Sequence, residues 1–116
     1  MAKSITIYHN PRCSKSRETL ALIEEHGYAP RIVEYLKTPP TATELKNIVS
    51  KLDIPAKNLI RTKEDLFRSF NDIDLDNDSA VIRLLVENPV LLERPIVIAG
   101  TKAALGRPPS NVLAIL

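Results

Sequence analysis

Apolar and polar residues alternate near the start of the chain, in Ile5-Thr6-Ile7-Tyr8, which predicts a short β-strand. Asn10-Pro11 breaks it, because proline lacks an N–H and restricts the residue before it. From about residue 14 to residue 26 the spacing becomes helical, with Leu20, Ala21, Leu22 and Ile23 as the apolar side. Gly27 follows as a C-terminal cap that requires a positive φ. After the turn at Tyr28-Ala29-Pro30, the run Ile32-Val33-Glu34-Tyr35-Leu36 is rich in β-formers and predicts a second strand. A strand, a helix and a strand in about thirty residues predict a βαβ unit, with parallel strands and a right-handed crossover.

Thr38-Pro39-Pro40 closes that unit. Thr41-Ala42-Thr43-Glu44 has the form of a capping box, opening a helix with Leu45, Ile48, Val49 and Leu52 on one side. Pro55 starts a short helical piece that leads to Leu59-Ile60-Arg61, and Thr62-Lys63-Glu64-Asp65 suggests another cap before Leu66, Phe67 and Phe70. The acidic run 71–78 spaces Asp72, Asp74, Asp76 and Asp78 like a calcium loop. It lacks the glycine at the sixth position and the glutamate at the twelfth that such a loop needs. Asp78 is expected instead to cap a helix carrying Val81, Ile82, Leu84, Leu85 and Val86, which Asn88-Pro89 ends.

Ile96-Val97-Ile98-Ala99 is the most strand-like apolar run, and Gly100-Thr101-Lys102 turns it into a last strand, Ala103-Ala104-Leu105. Gly106-Arg107-Pro108-Pro109 breaks that strand, and Ser110 is expected to cap a final helix with Val112, Leu113, Ile115 and Leu116. The order is β-α-β, then helices, then a β-hairpin and a helix. This is an α/β chain of the thioredoxin-like plan: a four-stranded mixed sheet flanked by helices, with a helical insertion between strands 2 and 3. Cys13-Ser14-Lys15-Ser16 stands where that plan carries Cys-x-x-Cys or Cys-x-x-Ser. Pro95, after Arg94, stands where it carries a structural cis-proline.

A length of 116 residues is expected to make a single domain, 1–116, and an apolar fraction of 44% suffices for a core. A net charge of +2, an aromatic content of 4% and the absence of tryptophan give no basis for nucleic-acid binding. No run approaches the roughly 20 apolar residues of a membrane span, so no membrane role is expected. Met1-Ala2-Lys3-Ser4 lacks the apolar core of a signal peptide, and the one cysteine excludes an internal disulfide, so the expected home is the cytoplasm. One cysteine and two histidines do not make a closed zinc set, and no metal or bound cofactor is expected.

That cysteine, Cys13, falls where a strand hands over to a helix. The first N–H groups of a helix and the positive end of its dipole favour a thiolate there. Arg12, Lys15 and Arg17 lie within four positions of it, and cationic neighbours lower a thiol pKa further. A free cysteine is often an inert buried side chain. A buried inert thiol gains nothing from three nearby cations, so Cys13 reads as reactive.

These residues resemble the glutaredoxin-coupled arsenate reductases, in particular their short bacterial homologues, over nearly the whole chain. The resemblance is carried by Tyr8-His9-Asn10-Pro11-x-Cys13-x-x-Ser16-Arg17, Leu59-Ile60-Arg61, Glu93-Arg94-Pro95-Ile96-Val97 and Gly106-Arg107-Pro108, in order and at family spacing. It implies an oxidoreductase in which Cys13 is the nucleophile and His9 helps to set the thiol pKa. It also implies that Arg61, Arg94 and Arg107 hold the oxyanion, while Arg12, Ser16 and Arg17 surround the thiolate. Planar guanidinium forks suit a tetrahedral oxyanion such as arsenate better than ammonium groups do. The bland alternatives are that these arginines are surface charges and that His9 is a strand-end histidine bonded to backbone. Arg12, Ser14 and Lys15 depart from the small residues that well-known members carry beside the cysteine.

Reduction of arsenate to arsenite needs a second thiol, and Ser16 occupies the resolving position. Glutathione is therefore the expected co-substrate and a glutaredoxin the expected partner. Two other classes compete. One is a glutaredoxin-like thiol transferase, for which Cys-x-x-Ser suffices. The other is a thioredoxin-fold regulator that binds a protein partner such as RNA polymerase. Those regulators carry a Cys-x-x-Cys switch that Ser16 removes here, and transferases do not need three arginines on one anion.

Overall fold

The structure is a computed structural model that describes residues 4–116. The expectation about the leading Met1, Ala2 and Lys3 lies outside the described residues. The chain forms two compact units. One takes the chain as far as Thr38 together with Arg94–Leu116, and the other is Pro39–Glu93.

The first unit holds the sheet. Strand β1 (Ile5–His9), helix α1 (Ser14–Glu25) and strand β2 (Arg31–Glu34) form the βαβ unit, with β1 and β2 parallel and Tyr8 beside Val33. Strand β3 (Ile96–Ala99) pairs antiparallel with β1, and β4 (Lys102–Leu105) pairs antiparallel with β3. The order β2-β1-β3-β4 is the mixed sheet of a thioredoxin-like fold, with the second unit as the insertion between β2 and β3. Alternation puts Ile5 and Ile7 of β1 on one face with Val97 and Ala99 of β3. Ile23 of α1 and Val112 and Ile115 of the last segment join them in a buried cluster.

Three details of this unit differ from the sequence expectations. Strand β2 stops at Glu34, and Tyr35, fully buried, begins a turn whose Lys37 and Thr38 N–H groups both donate to Glu34 O. Helix α1 buries Ser16, Thr19 and Ile23 and leaves Ala21 exposed. The last element, Pro109–Ile115, is a 3-10 helix without a side-chain cap, and Ser110 lies inside it. Its two buried residues, Val112 and Ile115, are three apart, which is the period of a 3-10 helix.

In the second unit, α2 (Ala42–Leu52) begins with the expected capping box. Glu44 N donates to Thr41 Oγ1 at 3.2 Å, and Thr41 N donates to Glu44 Oε1 at 3.2 Å. Helix α3 (Asp78–Glu87) is capped by Asn77, whose Oδ1 accepts from Ala80 N at 3.2 Å. Asp78 is thus the first helical residue rather than the cap. Its carboxylate accepts from Ala56 N at 3.3 Å and ties α3 to the 3-10 turn Ala56–Leu59. Leu45, Ile48, Leu59, Val81, Leu84, Leu85 and Leu91 are buried in this unit.

Candidate active site

The first unit builds its site at the carboxyl end of β1. Asn10 turns the chain: its Oδ1 accepts from Arg12 N at 3.0 Å and its carbonyl accepts from Cys13 N at 3.0 Å. This side-chain turn two residues on is a common use of asparagine. It brings Cys13 to the N-cap of α1 in an extended conformation. A sulfur at the N-cap faces the N–H groups of the second and third helical residues, Lys15 and Ser16.

Burial pushes the Cys13 thiol pKa up. The nearby N–H groups of Ser16 and Lys15 and the Arg94 guanidinium, with its charge, outweigh it and hold the thiol below its ordinary value. Arg107 Nη2 stands 3.7 Å from Cys13 Sγ. Cys13 is only partly exposed.

Both arginines are held by the chain around them. Arg94 and Arg107 each precede a proline through a cis peptide bond. Arg107 Nε donates to Arg94 O at 2.6 Å, so the second guanidinium is hooked to the backbone that carries the first. The Arg94 guanidinium faces the Cys13 sulfur and the Tyr35 side chain. Burial alone would lower its pKa, but those two partners raise it, and it stays charged. Gly106 makes room for this arrangement: a Cβ there would lie 2.5 Å from Thr19 Oγ1 and 2.6 Å from Pro95 Cγ.

His9 and Ser16 form a second layer under the sulfur. Ser16 Oγ bonds His9 Nδ1 at 2.6 Å and accepts from Asn10 N at 3.0 Å. Ser16 is fully buried and His9 is buried. Burial holds the His9 pKa below its ordinary value; Glu34 opposes this and Arg17 adds to it. A neutral imidazole is thus the dominant form near neutral pH. His9 bears on the thiol through Ser16, whose N–H meets the sulfur.

Around the thiolate, Ser16 contributes as expected through its backbone, while the Arg12 and Arg17 side chains are not among the groups that lower the thiol pKa. The groups that lower the thiol pKa are the N–H groups of Ser16 and Lys15, and Arg94. Arg17 Nη1 donates to Pro11 O at 2.9 Å and braces the loop. Arg12 is exposed, and its backbone N–H serves the Asn10 turn. Arg61 belongs to the second unit. There its Nη1 pairs with Glu64 Oε1 at 2.6 Å and its Nε with Glu93 Oε1 at 3.7 Å. The first unit therefore brings Cys13, Arg94 and Arg107 together. Asn10, Lys15 N–H and Tyr35 are contributors that residue typing did not single out. Among the described residues, no group of His, Cys, Asp and Glu could hold a metal ion.

A thiolate beneath two forked cations is arranged to attack an oxyanion and to hold the charge that develops. Comparison with known proteins points the same way. The ArsC family model matches residues 8–115. An arsenate reductase of Neisseria meningitidis is 50% identical over 115 residues, covering 97% of each protein. An arsenate reductase of Escherichia coli is 38% identical over 114 residues, covering 97% of this chain and 81% of that protein. The structure of an arsenate reductase from Vibrio cholerae superposes with a TM-score of 0.94 at 46% identity, covering all of both chains. With its cysteine loop, its two proline-preceding arginines and a match over nearly its full length, the chain belongs to the ArsC family.

Proposed function

We propose that this protein is an arsenate reductase that works through a Cys13 thiolate, with glutathione and a glutaredoxin as external reductants. The observation that carries the reading is the convergence of the Ser16 and Lys15 N–H groups, Arg94 and Arg107 on one sulfur. Arg94 and Arg107 hold the arsenate oxygens while Cys13 Sγ attacks arsenic. An oxygen leaves as water and a sulfur–arsenic(V) bond forms. The sulfur of glutathione then attacks Sγ. A disulfide forms, the sulfur–arsenic bond breaks, and its electron pair stays on arsenic, which leaves as arsenite. The two thiols supply the two electrons. A glutaredoxin thiolate then attacks the glutathione sulfur and returns Cys13 as a thiolate.

Ser16 supports an external second thiol, because its hydroxyl cannot close a disulfide. It is also committed to His9 and Asn10 N. The thiol-transferase reading leaves two guanidinium groups at the sulfur without a task. A regulator acting by a cysteine switch lacks the second cysteine. The reaction suits the reducing cytoplasm, which keeps a lone thiol reduced. No helix among the described residues is long and apolar enough to cross a membrane.

The test is arsenate reduction by the purified protein with glutathione and glutaredoxin, compared with thioredoxin as the only reductant. Arsenite release that depends on glutathione, with one glutathione found on Cys13 when glutaredoxin is withheld, is the expected result. Turnover on thioredoxin alone, without a glutathione adduct, contradicts the coupling. Absence of arsenite under every reductant contradicts the activity.

A further inference from the structure

The proposed cycle places a demand on the surface near Cys13. The second thiol has to reach Sγ while arsenic is still bonded to it, so glutathione cannot use the guanidinium groups that hold the oxyanion. The first unit offers a separate place. A cleft of about 210 Å³ lies where Asn10, Pro11 and Arg12, the residues directly before Cys13, meet Glu34, Leu36 and Lys37 at the end of β2. Neither Arg94 nor Arg107 lines it.

The lining pairs charges of both signs with apolar surface. Arg12 and Lys37 are cationic, Glu34 is anionic, and Leu36 and Pro11 are apolar. Glutathione carries two carboxylates and one ammonium, with the α-carboxylate and the ammonium together on the γ-glutamyl arm. Lys37 Nζ lies 3.7 Å from Glu34 Oε1, with side chains 79% and 42% exposed. Such an exposed pair is weak and exchanges partners readily. The Arg12 side chain makes no hydrogen bond or ion pair among the described residues, so its charge is available to a ligand. Pockets that enclose a whole drug-sized ligand measure about 300–1,000 Å³. A cleft of about 210 Å³ is too small to enclose the whole tripeptide, so it can engage the charged ends while the cysteinyl thiol stays outside, on the side of Cys13.

Resting on the arsenate-reductase reading above, we propose that this cleft is the docking subsite for glutathione. Glu34 and Lys37 receive the zwitterionic γ-glutamyl arm and Arg12 receives the glycyl carboxylate. The subsite gives Arg12 a task that the thiolate itself does not.

The test needs no arsenic, so its failure is distinct from failure of the reductase reading. Oxidised glutathione is mixed with the purified protein, and the rate of glutathionylation at Cys13 is followed by mass. The uncharged disulfide of 2-mercaptoethanol, measured in parallel, is the reference that corrects each variant for thiol ionisation. The wild type should favour oxidised glutathione, and Arg12→Gln and Lys37→Gln should each lower that preference about three- to tenfold. Glu34→Gln decides between docking and simple attraction of an anion. Docking predicts that it also lowers the preference, because the ammonium loses its partner. Attraction by net charge predicts that it raises the preference. An increase with Glu34→Gln, or a preference unchanged in Arg12→Gln and Lys37→Gln, overturns the proposal. Arsenate turnover measured on the same preparations tests the reductase reading separately.

Discussion

Arg94 and Arg61 have the same side chain and sit in different electrostatic settings. Arg94 faces the Cys13 sulfur and Tyr35, and its carbonyl anchors Arg107. Arg61, in the other unit, has two carboxylates against it, Glu64 at 2.6 Å and Glu93 at 3.7 Å. The Arg94 guanidinium thus faces the reactive sulfur, while that of Arg61 is already neutralised locally by two carboxylates. A motif treats the arginines as equivalent members of one set. Their partners show that charge at a site depends on what each cation already faces.

The largest effect should come from Cys13→Ser. A serine oxygen forms no disulfide, so arsenate turnover should fall to background with an unchanged circular-dichroism spectrum. Turnover that survives would move the chemistry away from the first unit. Arg94→Ala comes next. Each lost charge-assisted contact is worth about 1.5–3 kcal/mol, or roughly one to two orders of magnitude in oxyanion protection of the thiol. Arg94→Lys should not restore it, because an ammonium lacks the planar fork.

Gly106→Ala should disturb the same place through packing. The added Cβ meets Thr19 and Pro95, and overpacking of this kind costs about 1–3 kcal/mol, to be read as a lowered unfolding midpoint. An unchanged midpoint would mean that the loop carrying Arg107 yields easily. Ser16→Ala leaves the His9 ring nitrogen and Asn10 N without a buried partner, for about 1–3 kcal/mol of stability. It should move the thiol pKa less than Arg94→Ala does, because Ser16 acts on the sulfur through its N–H. The smallest effect on thiol protection should be that of Arg61→Ala. If Arg61→Ala abolishes arsenate protection as fully as Arg94→Ala, the contrast drawn from their partners fails.

Much of the architecture was legible because local signals and burial agreed. The alternating run of β1, the positive φ of Gly27 at 87°, and the Thr41–Glu44 box each had one physical solution. Signals that two residues share were harder. Asn77 and Asp78 are both good caps, and only the pull of Ala56 N on the Asp78 carboxylate separates them. The last segment reads as helical in either period, and the i,i+3 spacing of Val112 and Ile115 decides for the 3-10 form.

The site divides in the same way. The arginines before Pro95 and Pro108 were visible as types, but their hook, Arg107 Nε on Arg94 O, is tertiary geometry. Charge density around Cys13 pointed to Arg12 and Arg17, although in a helix N-terminus the nearest positive charge belongs to the backbone. Tyr35 was legible only as a strand residue, because its nearness to Arg94 spans nearly sixty positions of chain. Residue types point to side chains, and this sulfur is served by main-chain N–H groups as well as by the Arg94 and Arg107 guanidinium groups.

The central claim is that Cys13 is a thiolate held by α1 and Arg94 and presented to an oxyanion. Iodoacetamide alkylation of Cys13 followed against pH, with and without arsenate, tests it in wild type and Arg94→Ala. The signs are fixed by the groups present. Those N–H groups and the Arg94 charge favour the charged form, so the wild-type midpoint lies below the ~8.5 of free cysteine. Removing Arg94 removes a lowering influence, so the variant's midpoint moves up, toward that value. Arsenate should slow alkylation of the wild type and leave the variant nearly unprotected. A wild-type midpoint at or above ~8.5, with alkylation indifferent to arsenate and to Arg94, would contradict the account.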